Sequence, residues 1–149
     1  MKPHAQRRQA VRPAGPVRVL VTGSSTWSDR AAVWDRLDAL LDWRGQVVVV
    51  HGARPHGADA HAHEWVVVRG REGCSVTEEA YPADRMTRRG SPVPVRNARM
   101  VSTGADLCLT FIDSCSAPTC RRQDLHGSHG AVDCATRAQL AGIPVEHLT

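Results

Sequence analysis

Val17-Arg18-Val19-Leu20-Val21-Thr22-Gly23-Ser24 decides the fold of this chain. Its apolar residues are barely interrupted, the composition of a strand covered on both faces, and the run closes on a glycine. Two further stretches share the design. Residues 46–50, four of them consecutive valines, lead into His51-Gly52-Ala53 and on to Gly57-Ala58-Asp59. The apolar run 106–112 leads, through a longer loop, to Gly127-Ser128-His129-Gly130. Each stretch precedes a helix-like segment. A strand that stops at small residues and hands over to a helix leaves free backbone N–H groups and a positive helix end at one edge of a sheet. Three such junctions predict a cradle for a phosphate-bearing ligand.

The segments between them complete the pattern. Val33, Leu37, Leu40 and Leu41 fall at helical spacing over residues 30–43, behind a Ser28-Asp29 cap and ahead of Gly45. A second helix is expected from about 58 to 69, and a weaker third strand over 74–80. Residues 84–95 read as a loop because Pro92 and Pro94 oppose helix, which resumes over 96–102. The last helix is placed at 131–140, and Ile143-Pro144-Val145 opens a closing strand. Strands alternating with helices predict a single α/β, Rossmann-like, three-layer domain. The expected sheet is mainly parallel, with about five strands in the order 3-2-1-4-5. Ligands in such sheets bind at the carboxyl ends of the strands where the winding reverses, here between the first and fourth strands.

A chain of 149 residues suffices for one domain with a real core, without disulfides or metal as its main support. No apolar run approaches a membrane span and the start lacks a signal-peptide core, so a cytoplasmic protein with no membrane partner is expected. Four of the nineteen Lys and Arg (Lys2, Arg7, Arg8 and Arg12) lie in residues 1–16, which hold no acid; the other fifteen match the fifteen Asp and Glu. The net charge of +4 therefore belongs to a polar, flexible basic arm, 1–16, ahead of a neutral folded body, 17–149. Such an arm can touch nucleic acid, but a solvated tail is the commoner outcome. Five cysteines, an odd number without an export signal, are expected to be reduced thiols.

Further pieces fall in order along the body: Trp27 and Asp29 after VLVTGS at 19–24, then HGA at 51–53 and GAD at 57–59. YPAD at 81–84, RNARM at 96–100, GADLCLTF at 104–111, GSHGA at 127–131 and AGIPV at 141–145 follow. Each is weak alone, but the ordered set is specific. It resembles the SLOG superfamily of Rossmann-like nucleotide-ligand proteins, in the small bacterial and phage branch related to YspA and the YpsA type. The resemblance implies a pocket for a nucleotide or nucleotide-derived small molecule, and the host cytoplasm as location if the chain is phage-encoded. A more distant resemblance links RNARM to the LOG-type (lysine-decarboxylase-like) phosphoribohydrolases, which cleave a base from a nucleoside monophosphate with an arginine and a glutamate. Arg96 matches that arginine. The glutamate position falls on Cys134, beside Asp133, and Ala131 replaces the usual threonine. Ser25 stands where close relatives often carry arginine.

Junctions and resemblance together nominate Gly23, Ser24, Gly52, Gly57, Asp59, Arg96, Asn97, Ser128 and Gly130 as ligand-binding residues; no catalytic residue is assigned. Gly23 either admits phosphate to the backbone or simply turns the chain after a strand. Asp59 caps its helix, holds its loop or accepts bonds from a ribose. His51, ending a buried strand, reads as a packed, hydrogen-bonded residue. A guanidinium suits bidentate anion capture, which favours Arg96, with Asn97 orienting it or binding directly. Arg85, Arg88 and Arg89 read as solvated. Ser128 and Gly130 offer amides by position.

Cys115, Cys120, His126, His129 and Cys134, within twenty residues on or beside the irregular 113–129 loop, are candidate ligands for a structural zinc. Their spacing lacks the tight CxxC knuckle. No other cofactor is implied, and a homo-oligomer stays open. The leading expectation is a nucleotide-ligand sensor or carrier. The alternatives are cleavage of a nucleotide N-glycosidic bond, for which Asp59 and Asp133 are the only candidate carboxylates, and a nucleic-acid role through the arm.

Overall fold

A computed structural model describes residues 15–84 and 92–149. The basic arm over 1–14 and the arginines Arg85, Arg88 and Arg89 lie outside the described residues. The chain alternates β1 (Val17–Gly23), α1 (Arg30–Arg44), β2 (Gln46–His51), α2 (Ala58–Arg71), β3 (Ser75–Ala80), α3 (Pro92–Ser102), β4 (Leu107–Phe111), α4 (His129–Leu140) and β5 (Val145–Leu148). The four strand pairings of the sheet are parallel and the strand order is β3-β2-β1-β4-β5. The expected fold class and strand order are therefore those of the protein.

The near-continuous apolar runs are explained by two cores, one on each face of the sheet. Val17, Val19, Val21, Val47, Val49, Leu109 and Phe111 point to one face and meet Val33, Leu37, Leu40, Ala62 and Trp65 of α1 and α2. Leu20, Val50 and Cys108 point to the other and meet Met100, Val101, Cys134 and Ala138 of α3 and α4. Successive side chains of a strand alternate faces, so only an apolar residue at nearly every position can feed both cores.

Asp29 caps α1 by accepting the Ala32 N–H at 3.0 Å, and Gly45 ends it in the left-handed conformation. The start of α3 departs from expectation. Helix begins at Pro92, not Arg96, because the N–H groups of a first helical turn have no intrahelical acceptor and proline there gives up nothing. Likewise α4 begins at His129, two residues before the expected start, with Ser128 as its N-cap.

Asp38 joins α1 to α2. It accepts the Trp65 indole N–H at 2.8 Å and a two-pronged bond from Arg69, with Nε and Nη2 each at 2.9 Å. The Arg69 guanidinium, followed by burial and then the Trp65 bond, governs this carboxyl, and the balance holds it below the usual range. A depressed folded-state pKa gives stability that is present above the ordinary carboxylate pKa and lost as pH falls through the folded value. Asp38→Asn is accordingly expected to cost about 1–2 kcal/mol at neutral pH. The deficit against wild type should shrink toward pH 3 in urea unfolding. A deficit that is constant with pH would contradict the assignment.

Candidate functional site

The carboxyl ends of β1, β2 and β4 open on one cleft, at the point where the strand order reverses. Gly52, Ala53, Arg54, Pro55, Pro82 and Arg96 line a cavity of about 440 Å³. Ser24, Thr26, Arg54, Cys115, Ser128 and Gly130 line an adjoining one of about 330 Å³. Arg54 borders both.

The first junction is built by close packing. A Cβ on Gly23 would lie 2.5 Å from both the Ala58 Cβ and the Phe111 carbonyl oxygen, so the glycine lets α2 and β4 close on β1. Ser24 is buried. Its amide donates to the Phe111 carbonyl at 2.9 Å, its Oγ accepts the Asp113 N–H at 2.7 Å, and that Oγ lies 2.6 Å from Ser128 Oγ. The hydroxyl thus ties the end of β1 to the loop after β4 and to the cap of α4.

At the second junction His51 sets the turn. Its Nδ1 accepts the Ala53 N–H at 3.0 Å, which leaves the proton on Nε2, donated to Glu78 at 2.7 Å. His51 is therefore a packed, hydrogen-bonded residue. The bond helps hold Ala53 at φ 57°, a left-handed conformation that alanine adopts at a cost of roughly 1–2 kcal/mol. Asp59 accepts the Arg54 N–H at 3.3 Å and so fastens the loop between β2 and α2. Burial pushes the Asp59 carboxyl up, against the opposing pull of His51, the Arg54 amide and Arg96. Gly57 precedes α2 at φ 79°, ψ −148°, packed on the backbone of Ser24 and Ser25.

Arg96 and Asn97 connect these junctions from α3. The Arg96 Nη1 donates to the carbonyls of Gly52 and Tyr81, and its Nε donates to Asn97 Oδ1 at 2.9 Å. A side chain on Gly52 would occupy the space of this guanidinium. Burial pulls the Arg96 pKa down, and the Asp59 charge works against that pull. Its Nη2 has no hydrogen-bond partner among the described residues, and Arg96 lines the larger cavity. Asn97 is 1% exposed and gives Nδ2 to the Gly130 carbonyl at 2.9 Å and to Asp133 at 3.0 Å. Both ends of its amide are thereby engaged within the protein.

At the third junction the Ser128 hydroxyl, engaged with Ser24, makes no capping bond to α4. The first residues of that helix, His129 and Gly130, line the smaller cavity. Arg54, which the sequence reading passed over, packs there: a Cβ on Gly130 would lie 2.9 Å from Arg54 Nη2. The only signal for Arg54 was its place one residue after the His51-Gly52-Ala53 turn. Among the described residues this guanidinium forms no ion pair.

The five metal candidates divide. Single ligand atoms of Cys115, Cys120, His126 and His129 all lie within 4.8 Å of one another. Cys134 does not join them. It is fully buried in the core under α4, where burial pushes its thiol up to about 11. Its apolar neighbours took the side chain inward, so the expectation of a fifth ligand is corrected.

These features define a Rossmann-like domain with a cleft at the switch point, edged by arginine and by a helix amino end. The chain belongs to the YspA, cpYpsA-related SLOG family (YAcAr), which matches residues 17–86. It is 41% identical over 129 residues to the Gene 61 protein of Mycobacterium phage D29, covering 86% of this chain and 93% of that protein. Among solved structures, the universal stress protein from Archaeoglobus fulgidus is similar with a TM-score of 0.48 and 22% identity, covering 89% of this chain and 93% of that one. Membership of the SLOG family implies a role in binding or processing a nucleotide-related ligand. No helix among the described residues is long and apolar enough to cross a membrane.

Proposed function

We propose that this cleft binds a nucleotide or nucleotide-derived small molecule, with a phosphate held between Arg54, the edge of Arg96 and the amino end of α4. The observation that carries the reading is the approach of Arg54 to Gly130. A cation packed against the positive end of a helix is unfavourable unless an anion bridges the two. A phosphate there accepts N–H bonds from the first turn of α4 and a two-pronged bond from the guanidinium. Gly52 and Gly57 bring the opposite wall close, while Ser24, Asp59 and Asn97 hold that wall in shape through the bonds described above.

Titration with AMP, ADP and ADP-ribose, followed by thermal unfolding and calorimetry, tests this. A ligand at about a hundred times its dissociation constant adds about 2.7 kcal/mol of stability. Arg54→Ala should keep the unliganded melting point and weaken binding at least about tenfold, the loss of one charge-assisted pair. If no member of the panel binds wild type, or if Arg54→Ala binds as well, the proposal fails. The same incubations assayed for free base address N-glycosidic cleavage: the binding reading expects intact nucleotide throughout.

A further inference from the structure

Outside the nucleotide cleft, the loop between β4 and α4 has no hydrophobic explanation. None of residues 113–128 is buried, and its one large aliphatic side chain, Leu125, is 94% exposed. The two arms of the loop are joined backbone to backbone at its base, and farther out the Cys120 N–H donates to the Ala117 carbonyl at 3.1 Å. Ser114 pairs with Gly127 in an antiparallel bridge, the Cys115 N–H donates to the His126 carbonyl at 2.7 Å, and the Ser128 N–H donates to Asp113 at 3.0 Å. Above that base four soft or imidazole groups converge. Cys120 Sγ lies 3.4 Å from both His126 Nε2 and His129 Nε2, and those two nitrogens are 3.0 Å apart.

The tautomer of His126 shows what the convergence is for. Its Nδ1 lies 2.8 Å from the Asp124 carbonyl oxygen, which can only accept, so the proton sits on Nδ1 and Nε2 carries a lone pair. That lone pair faces Cys120 and His129 together. One hydrogen bond can satisfy it, but not two from different directions, and a third group, Cys115, closes the same space. A single cation at the centre satisfies all four donors at once. An imidazole whose other nitrogen donates to a backbone carbonyl is the usual arrangement for a metal ligand. Zinc bonds of about 2.3 Å to sulfur and about 2.0–2.1 Å to nitrogen place the donors of a tetrahedral site about 3.3–3.8 Å apart, close to the separations seen.

We propose that Cys115, Cys120, His126 and His129 bind one Zn²⁺ as a structural, four-protein-ligand site. The ion orders a loop that burial cannot, and it stands beside the cleft, because Cys115 and His129 also line the smaller cavity with Ser128 and Gly130. Two thiolates with two neutral imidazoles give a neutral centre, suited to a structural role with no open coordination position. A second convergence, His51, His63 and Glu78, differs in kind. Both His51 nitrogens are already used by Ala53 and Glu78, so no lone pair is left for an ion.

The test needs no nucleotide, so its outcome is separate from that of the binding proposal. Full-length protein is produced with zinc in the medium, and its metal content is measured. About one zinc per chain is expected in wild type and in Cys74→Ser, with clear loss in Cys120→Ser and His126→Asn. Stripping wild type with a chelator should lower its melting point by roughly 5 °C or more, restored by zinc alone. Titrating the stripped wild type with Co²⁺ should give the absorption of a tetrahedral, thiolate-ligated ion, a readout that does not depend on the variants folding. Zinc no higher in wild type than in Cys120→Ser, no Co²⁺ uptake, or a Cys115–Cys120 disulfide in place of metal would each overturn the site.

Discussion

Gly57→Ala is expected to destabilise the protein by about 3–5 kcal/mol, a large share of the total for a domain of this size. Two costs add. At φ 79° and ψ −148° the backbone lies in a region that is essentially glycine's alone, worth about 1–3 kcal/mol for any other residue. The new Cβ would also overlap the Ser24 carbonyl oxygen and come within 2.6 Å of Ser25 Cα. Those atoms are backbone and cannot rotate away, so α2 would have to separate from the end of β1. Gly45→Ala is the matched control. Its φ is nearly the same at 77°, but a Cβ there meets nothing within 4 Å, so only the conformational cost of about 1 kcal/mol applies. Urea unfolding of both variants gives the comparison, and equal losses would show that packing against Ser24 is not what demands this glycine.

Arg96→Met is expected to combine a loss of about 2–4 kcal/mol of stability with the loss of the nucleotide binding we propose. The methionine fills part of the volume but supplies none of the bonds to Gly52, Tyr81 and Asn97. Buried acceptors left unpaired cost about 1–3 kcal/mol each, offset in part because a desolvated charge disappears with the arginine. The Asp59 carboxylate, already pushed up by burial, loses a nearby positive charge and should rise further. Arg96→Lys separates the two roles. It keeps the charge but replaces a planar fork with a single ammonium, so it should recover stability better than affinity. Should Arg96→Met unfold at the wild-type urea concentration, the guanidinium would not be the tie between β2, β3 and α3 described above.

Much of this architecture is legible in the chain. Residues 17–24 and 46–51 announce buried parallel strands because a sheet covered on both faces needs apolar side chains at both parities. Asp29 and Gly45 mark the ends of α1 because the chemistry of a cap is local. The prolines of α3 misled for an instructive reason. Proline opposes a helix through the N–H it lacks, and a first turn has no use for that N–H, so position within the helix reverses the sign of the argument.

The site was visible as a set of residues but not as a division of labour. Ser24 and Asn97 look like ligand contacts in one dimension, and in the fold they also join elements far apart in sequence through the Ser24–Ser128 and Asn97–Gly130 bonds, while Asp59 holds its own loop at Arg54. Arg54 carried no motif and matters only because the sheet brings α4 against it. Cys134 sat among the metal candidates by spacing, until the apolar face of α4 turned it into the core. Periodicity, caps and ordered glycine junctions, all short-range properties, are enough to read the fold class from sequence alone, and the strand order and its switch point follow as the usual winding of such a sheet. Which polar atoms remain free to meet a ligand, and which four of five candidates converge on one point, depends on long-range contacts among side chains. Those contacts exist only after the sheet has formed, so only the tertiary structure could decide them.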